Sequence, residues 1–376
     1  MKKSNLTVSQ TIRHKIVPHE ALTFDDLLLL PGYADFKRSD VDLTTRLHPA
    51  IILPLPVISS PMDTVTETEM AISMATAGGL GIIHRNMSVT SEADAVRAVK
   101  TRKLLVGAAI GVGTDFDARV DALMKAKVDV LVVDSGHGYT KFVIDAVKSI
   151  KKKYPRMPVM AGNIATYDGA RALISAGADI LRVGMGPGSI CTTRIVTGMG
   201  VPQISAVAAV VRATEDTRVT VVADGGIRQM GDMAKAFAFG ASAVMLGSLL
   251  ARFKESPGIQ VKVNGKLYKT YRGMGSVAAM KQGGAERYGQ SKHADTKQLI
   301  AEGVEGLVPF AGRVSDYLIQ IQGSLRSSFY YIGARTMDEF FKKSRCIIIS
   351  QAGLLESHPH EIAILNSGGN YSLSNS

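Results

Sequence analysis

Short runs of apolar, β-branched residues recur along the first two-thirds of the chain. Each is followed by a turn and then by a stretch with helical spacing of its apolar positions. The runs are LPVIS near residue 55, GLGII near 79, LLVGAAI near 104, VDVLVVD near 128, MPVMAG near 157, ADILRVG near 178, RVTVVADGG near 218 and ASAVMLG near 241. Amphipathic stretches between them include Thr66–Ala77, Asp117–Ala126, Lys141–Tyr154, Tyr167–Ala176 and Gly231–Phe239. This alternation predicts parallel strands with helical crossovers. The runs are apolar on both faces, as strands buried beneath a helical layer are. Eight units in about 200 residues predict an α/β fold of the (β/α)8 barrel type rather than an open doubly wound sheet. No GxGxxG follows the first strand, which argues against a dinucleotide-binding Rossmann domain.

The alternation stops after Leu250. Residues 252–310 are rich in Gly, Lys and Gln, and IQVKVNGKLYKTY within them reads as a hairpin turning at Asn264–Gly265. A long excursion after the eighth strand lies where barrel enzymes keep lids. Helical stretches at Ser315–Ser324 and Met337–Lys343 are expected to close the barrel.

Composition narrows the class. The 376 residues are 46% hydrophobic, enough for a large core, and 37 glycines suit a loop-rich enzyme. Two cysteines, Cys191 and Cys346, make no disulfide framework and suggest a reducing, cytoplasmic setting. No run of apolar residues is long enough to span a membrane. The first 20 residues are basic without an apolar segment and read as a loosely docked tail rather than a secretory signal. The net charge of +11 comes from scattered residues. The densest run, Lys151–Lys153, falls at a helix end facing solvent. A phosphate-bearing small substrate accounts for that balance at least as well as nucleic acid, which is the less favoured reading.

Barrel chemistry sits where strands end. Those ends read SSPMD (Ser59–Asp63), HRN (His84–Asn86), DSGHG (Asp134–Gly138), Gly162–Asn163, GMGPGSICTTR (Gly184–Arg194), ADGGIR (Ala223–Arg228) and Gly247–Ser248. The loops after strands seven and eight suit a phosphate on backbone amides, together with Ser189; the alternative is that Gly225, Gly226 and Gly247 only make tight turns. Cys191 lies among Gly, Ser and Thr with Arg194 nearby, a setting for a nucleophilic thiol as much as for a structural one. Cys346, in SRCIIIS, reads as a buried bystander. His84 and His137 lack metal-ligand spacing. Asp224 could hold a pair of sugar hydroxyls or cap a helix. Arg287–Tyr288 in GGAERYGQ reads on its own as a solvated loop pair.

These segments, with LTFDDLLLLPGYADF, GGLGIIHRNMS, MGVPQ, YRGMGS and ERYGQ, resemble the IMP dehydrogenase / GMP reductase family, on the IMP dehydrogenase side. The resemblance runs from about Ala21 to ESHPHE in one order. It implies a single catalytic domain over 21–376 that oxidises IMP to XMP with NAD, the committed step of guanine nucleotide synthesis. Cys191 would attack the purine C2 and leave a thioimidate. Arg287, beside Tyr288 on a mobile flap, would activate water for its hydrolysis, with Thr193 and Glu302 in the proton relay. The nucleotide would meet Ser60, Met62, Asn163, Arg182, Ser189, Asp224, Gly225, Gly226, Gly247, Ser248, Tyr271, Met274, Gly275 and Glu302. NAD would meet Asp134, Ser135, Gly136 and Gly184. Carbonyls of Gly186, Gly188 and Cys191 would bind K⁺, completed by Glu356, Ser357 and His358 of a neighbouring subunit in a homotetramer or octamer. The other readings are a GMP reductase, which typically lacks the Arg–Tyr pair, and a catalytically silent nucleotide-binding barrel.

Three departures from the family pattern stand out. The usual pair of CBS regulatory modules is missing between the second and third barrel units, around 87–104. Gly136 stands where Ser or Ala is more usual. Arg252 and Phe253 stand where small residues are usual, which predicts a reshaped cofactor pocket.

Overall fold

The computed structural model describes residues 15–17, 20–291, 295–362 and 364. Most of the basic N-terminal segment lies outside them. All eight apolar runs form strands: β1 (Val57–Ser59), β2 (Leu80–Ile83), β3 (Val106–Ile110), β4 (Val130–Asp134), β5 (Val159–Ile164), β6 (Ile180–Val183), β7 (Thr220–Asp224) and β8 (Ala243–Leu246). Each pairs in parallel with its neighbours in chain order, and β8 pairs with β1 to close the barrel. The fold is a (β/α)8 barrel.

The helices α1 (Thr68–Thr76), α2 (Val89–Thr101), α3 (Phe116–Lys125), α4 (Lys141–Lys153), α5 (Tyr167–Ala176), α6 (Gln203–Arg212), α7 (Met230–Ala238) and α8 (Val314–Ile332) form the outer layer. Ser88, Thr140 and Thr166 cap α2, α4 and α5 through their hydroxyls, and Gly177 (φ 101°) ends α5. The Lys151–Lys153 run does end α4, but Lys151 does not simply face water. Its Nζ binds Asp179 at 2.9 Å and the Met157 carbonyl at 3.1 Å, tying the helix to the base of β6.

Strand side chains divide into two cores. Ile58, Ile82, Val132, Met160, Val222 and Met245 fill the barrel interior, and Leu47, Ile51 and Leu53 join them. The latter come from a hairpin, Thr45–His48 with Ile51–Leu53, beside the start of β7, where the Thr220 hydroxyl donates to the Leu47 carbonyl. The hairpin therefore plugs the N-terminal end and leaves the C-terminal end for chemistry. The opposite strand faces pack against the helices. One expected boundary shifts: the helix placed at Ser315–Ser324 runs on to Ile332, because Gly323 is tolerated inside it and Gly333 (φ 79°) ends it.

Helix α2 joins β2 directly to β3, with no inserted module. The excursion after β8 holds the expected hairpin, Gln260–Val263 with Lys266–Arg272, turning at Asn264 and Gly265, both at positive φ. A third strand, Glu305–Pro309, pairs with it. Cys346 is only partly buried, on a three-residue strand paired to Leu27–Leu29 whose Ile347 and Ile348 are exposed. It is not the buried residue expected. Phe253 also departs from expectation. It packs into the helix-side core against Tyr317, ring centroids 5.1 Å apart, and neither it nor Arg252 lines the cavity described next.

Candidate active site

One cavity opens at the C-terminal end of the barrel. Ser60, Met62, Gly136, Asn163, Arg182, Gly184, Gly186, Gly188, Ser189, Cys191, Thr193, Asp224, Gly225, Gly226, Gly247, Ser248, Tyr271, Met274, Arg287, Tyr288 and Glu302 all line it. Arg228, Met245 and Leu246, not singled out from sequence, line it too.

The Cys191 loop is braced from two sides. The Cys191 amide donates to the Gly188 carbonyl at 3.0 Å, the Thr192 amide to Glu302 O at 3.1 Å, and the Val304 amide to Ile190 O at 2.9 Å. The excursion thus holds the loop as an added strand would. Arg194 stays close enough to the thiol to interact with it electrostatically, but its hydrogen bonds go to the loop backbone. Its Nε and Nη2 bind the Met185 and Val201 carbonyls at 3.1 and 2.6 Å, folding the loop back on itself. The thiol itself is half-buried and donates to Thr193 Oγ1 at 3.2 Å.

Opposite the sulfur lies a set of buried charges. Arg182 Nε binds Asp224 Oδ2 at 2.9 Å and its Nη1 binds Asp134. Asn163 Nδ2 binds the same Asp224 oxygen at 2.7 Å. Asp224 is therefore a fixed acceptor at the end of β7, not a helix cap, and Gln203 Nε2 anchors its carbonyl at 3.1 Å. Burial alone would raise the Asp134 carboxyl, but Arg287, Arg182 and Arg85 outweigh it and hold it down at about 2. Asp134 and Ser135 lie beneath the cavity rather than on its wall, with the Ser135 hydroxyl bound to Gly162 O at 2.8 Å.

The glycine loops after β7 and β8, expected to hold a phosphate, also line the cavity. Gly225 (φ 85°) and Gly226 (φ 77°) adopt backbone that side chains rarely take, beside Pro187. A Cβ on Gly247 would come within 3.0 Å of Tyr271 Oη. Burial raises the Tyr271 pKa and keeps the phenol protonated, so it can donate.

The segment Gly284–Tyr288, expected to belong to the flap, forms a short 3-10 helix whose Arg287 and Tyr288 line the cavity. Arg287 pairs with Asp134, and its carbonyl accepts from the Gly136 amide at 3.0 Å. A Cβ on Gly136 would sit 3.2 Å from that carbonyl, so glycine there lets the flap approach closely. The ring of Tyr288 lies over Gly275, which does not itself line the cavity. Burial alone would lower the Arg287 pKa; Asp134 raises it instead. Burial raises that of Tyr288.

The expected cation ligands are carbonyls on this same loop, and Gly186 (φ 75°) packs so tightly on Arg194 that a Cβ would come within 2.6 Å. Glu356, Ser357 and His358 lie at the end of the helix Gln351–Glu356 and do not line the cavity. No cluster of three or more His, Cys, Asp or Glu suited to a metal occurs among the described residues. No helix among them is long and apolar enough to cross a membrane.

The IMP dehydrogenase / GMP reductase domain model matches residues 21–360. The chain is 43% identical to the inosine-5'-monophosphate dehydrogenase of Borreliella burgdorferi, over 92% of this chain and 98% of that protein. It is 37% identical to the enzyme of that name from Escherichia coli, over 95% of this chain and 99% of the other. The E. coli alignment runs over 484 positions and the Borreliella one over 396, so the longer relative has extra positions opposite gaps in this 376-residue chain. A family match over residues 21–360 and these identities over nearly the whole length of both chains mean that the chain belongs to the IMP dehydrogenase / GMP reductase family.

Proposed function

We propose that this chain oxidises IMP to XMP with NAD, using Cys191 as nucleophile. The observation that carries this reading is the placement of Cys191 Sγ, with Thr193 Oγ1 at 3.2 Å, in a cavity whose walls also hold Asp224, the glycine loops and flap residues Arg287 and Tyr288. Asp224, already fixed by Arg182 and Asn163, is suited to accept from ribose hydroxyls. Ser189, Gly226, Gly247, Ser248 and Tyr271 supply donors for a phosphate. This orientation brings the hypoxanthine to Met274 and C2 to the sulfur.

The thiol gives up its proton as Sγ bonds to C2, and Thr193 is the group placed to receive or relay it. NAD supplies an acceptor for the hydride that leaves C2 with its electron pair. A C2–S thioimidate remains on Cys191. Water then adds to C2, the C–S bond breaks, XMP leaves and the thiol is restored.

Gly136 and Gly184 on the cavity wall, above Asp134 and Ser135, would hold NAD. The docked flap occupies Gly136 and Asp134, so flap and cofactor use the site in turn. Pairing with Asp134 is the opposite of what a base needs, since it favours the protonated guanidinium. The water-activating role therefore belongs to an Arg287 turned from Asp134 toward the thioimidate, with Tyr288 beside it and Glu302 completing the relay. K⁺ would sit on carbonyls of Gly186, Gly188 and Cys191, with Glu356, Ser357 and His358 of a second subunit in a homotetramer or octamer. Its role there is to hold the Cys191 loop. Residues 21–376 act as one catalytic unit with 252–310 carrying the flap, in the cytoplasm.

The test is to mix the purified protein with IMP, NAD and K⁺ and follow NADH absorbance. NADH formation is expected. Silence with IMP, and NADPH consumption with GMP instead, would transfer the reading to the reductase.

A further inference from the structure

The segment His84–Arg85–Asn86 at the end of β2 has no part in the chemistry above, yet it carries the flap. Arg85 is nine-tenths buried, and its Nε makes no hydrogen bond. Two carboxylates face it. Asp134 Oδ2 lies 3.9 Å from Nε, and Glu286 Oε2, on the flap, lies 3.8 Å from Nη1. Asp134 in turn holds Arg287, the residue after Glu286. The flap thus presents a negative then a positive side chain to a positive then a negative one on the barrel.

The bed under this pair is made of glycine. A Cβ on Gly113 would come within 2.5 Å of Glu286 Oε2, and one on Gly111 within 2.8 Å of Arg85 Nη1. The GVG sequence after β3 therefore leaves room for the two side chains to meet. Asn86 adds a third contact surface. Its Nδ2 binds Asp63 at 2.7 Å, and Asp63 also holds Arg272, whose Nη2 reaches Gln282 Oε1 at 2.5 Å just before the flap. Gly283 passes over Asn86 so closely that a Cβ would lie 2.8 Å from Oδ1.

We propose that Arg85 and Glu286 are positioning residues: their pairing, beside Arg287–Asp134, sets the register in which the flap docks and so where Arg287 stands for hydrolysis. This rests on the function proposed above. A slip of one residue along the flap would set either Arg287 against Arg85 or Glu286 against Asp134, according to its direction, and like charges reject both. Withdrawal of Glu286 leaves the guanidinium sharing Asp134 with Arg182, so the open state loses a pairing that the closed state has.

The test compares wild type with Glu286→Gln, Arg85→Gln and the double variant. In ligand-free protein the Gly136 amide reports docking, because it donates to Arg287 O only when the flap is down. Its hydrogen exchange is expected to quicken about fivefold in each single variant, and in the double no further than in the faster single. With IMP and NAD, turnover is expected to fall about fivefold while first-turnover NADH formation stays within about twofold, so that adduct on Cys191 accumulates. Arg85→Lys, which keeps the charge, should retain docking within about twofold of wild type. Wild-type exchange in Glu286→Gln, singles that multiply in the double, or a first turnover slowed as much as turnover overturns the proposal. Should Arg85→Gln not fold, Glu286→Gln alone decides. A wild type that makes no NADH would refute the function proposed above, while the exchange measurement would still judge the pair.

Discussion

Arg287 and Asp134 show how far a single residue's environment decides its chemistry. The same ion pair that holds the flap down keeps Asp134 ionised and Arg287 protonated. Asp134 has its carboxyl depressed to about 2 in the folded protein. Its contribution to stability is therefore present above pH 4 and is lost as pH falls toward 2. We expect Asp134→Asn to be less stable than wild type by about 2 kcal/mol at neutral pH, from the size of such a shift. The gap in urea midpoints should close between pH 4 and pH 2; a gap independent of pH would mean that the carboxylate is not held by its arginines. Arg287→Ala should leave the first NADH burst intact and slow steady turnover by at least about a hundredfold, the scale of losing an acid–base group. A slowed burst with normal later turnover would put Arg287 in the wrong step. Cys191 and the glycine loops could be read from sequence because small and polar residues at strand ends have few structural reasons to be there. The pairing around Asp134 could not. The family resemblance marked Arg182 and Arg287 for other roles, and Arg85 looks like any other charged residue until the barrel brings strands two, four and six together.

The eight strands were legible because each carries a mainly apolar, β-branched run, as a strand buried on both faces does, with polar residues such as Asn163 and Arg182 confined to the ends that reach the cavity. The hairpin was legible from Asn264–Gly265, whose positive φ values few other residue pairs accept. The short strands were not. Thr45–His48, Ile51–Leu53 and Glu305–Pro309 are stabilised by what they pair with, and Glu305–Pro309 has almost no buried side chain of its own. The same limit explains Phe253. Its bulk suggested an altered cofactor pocket, but the chain turns after Ser248–Ala251 and directs the ring into the α8 interface. Phe253→Ala is expected to lower stability by about 3 kcal/mol, the cost of a cavity of that size, and to leave the KM for NAD unchanged. Urea denaturation and NAD titration check the two halves separately, and a raised KM without loss of stability would restore the original reading.

For the whole molecule, β2 passes directly through α2 to β3 with no inserted module. With no CBS pair at that point, ATP and GTP should leave the steady-state response to IMP unchanged at concentrations that do not compete with substrate. A sigmoid response produced by either nucleotide would reveal regulation housed elsewhere. The net charge of +11 finds a partial explanation in this arrangement, since Arg85, Arg182, Arg228 and Arg287 all gather at one end of the barrel, three of them around Asp134. That end is where an anionic nucleotide would enter.

The bond proposed between Cys191 and C2 of the purine can be trapped in Arg287→Ala. Mass spectrometry of peptides from that variant, quenched after mixing with IMP and NAD, should find the Cys191 peptide carrying the oxidised nucleotide in step with the NADH formed. NADH formed while Cys191 stays unmodified would contradict it.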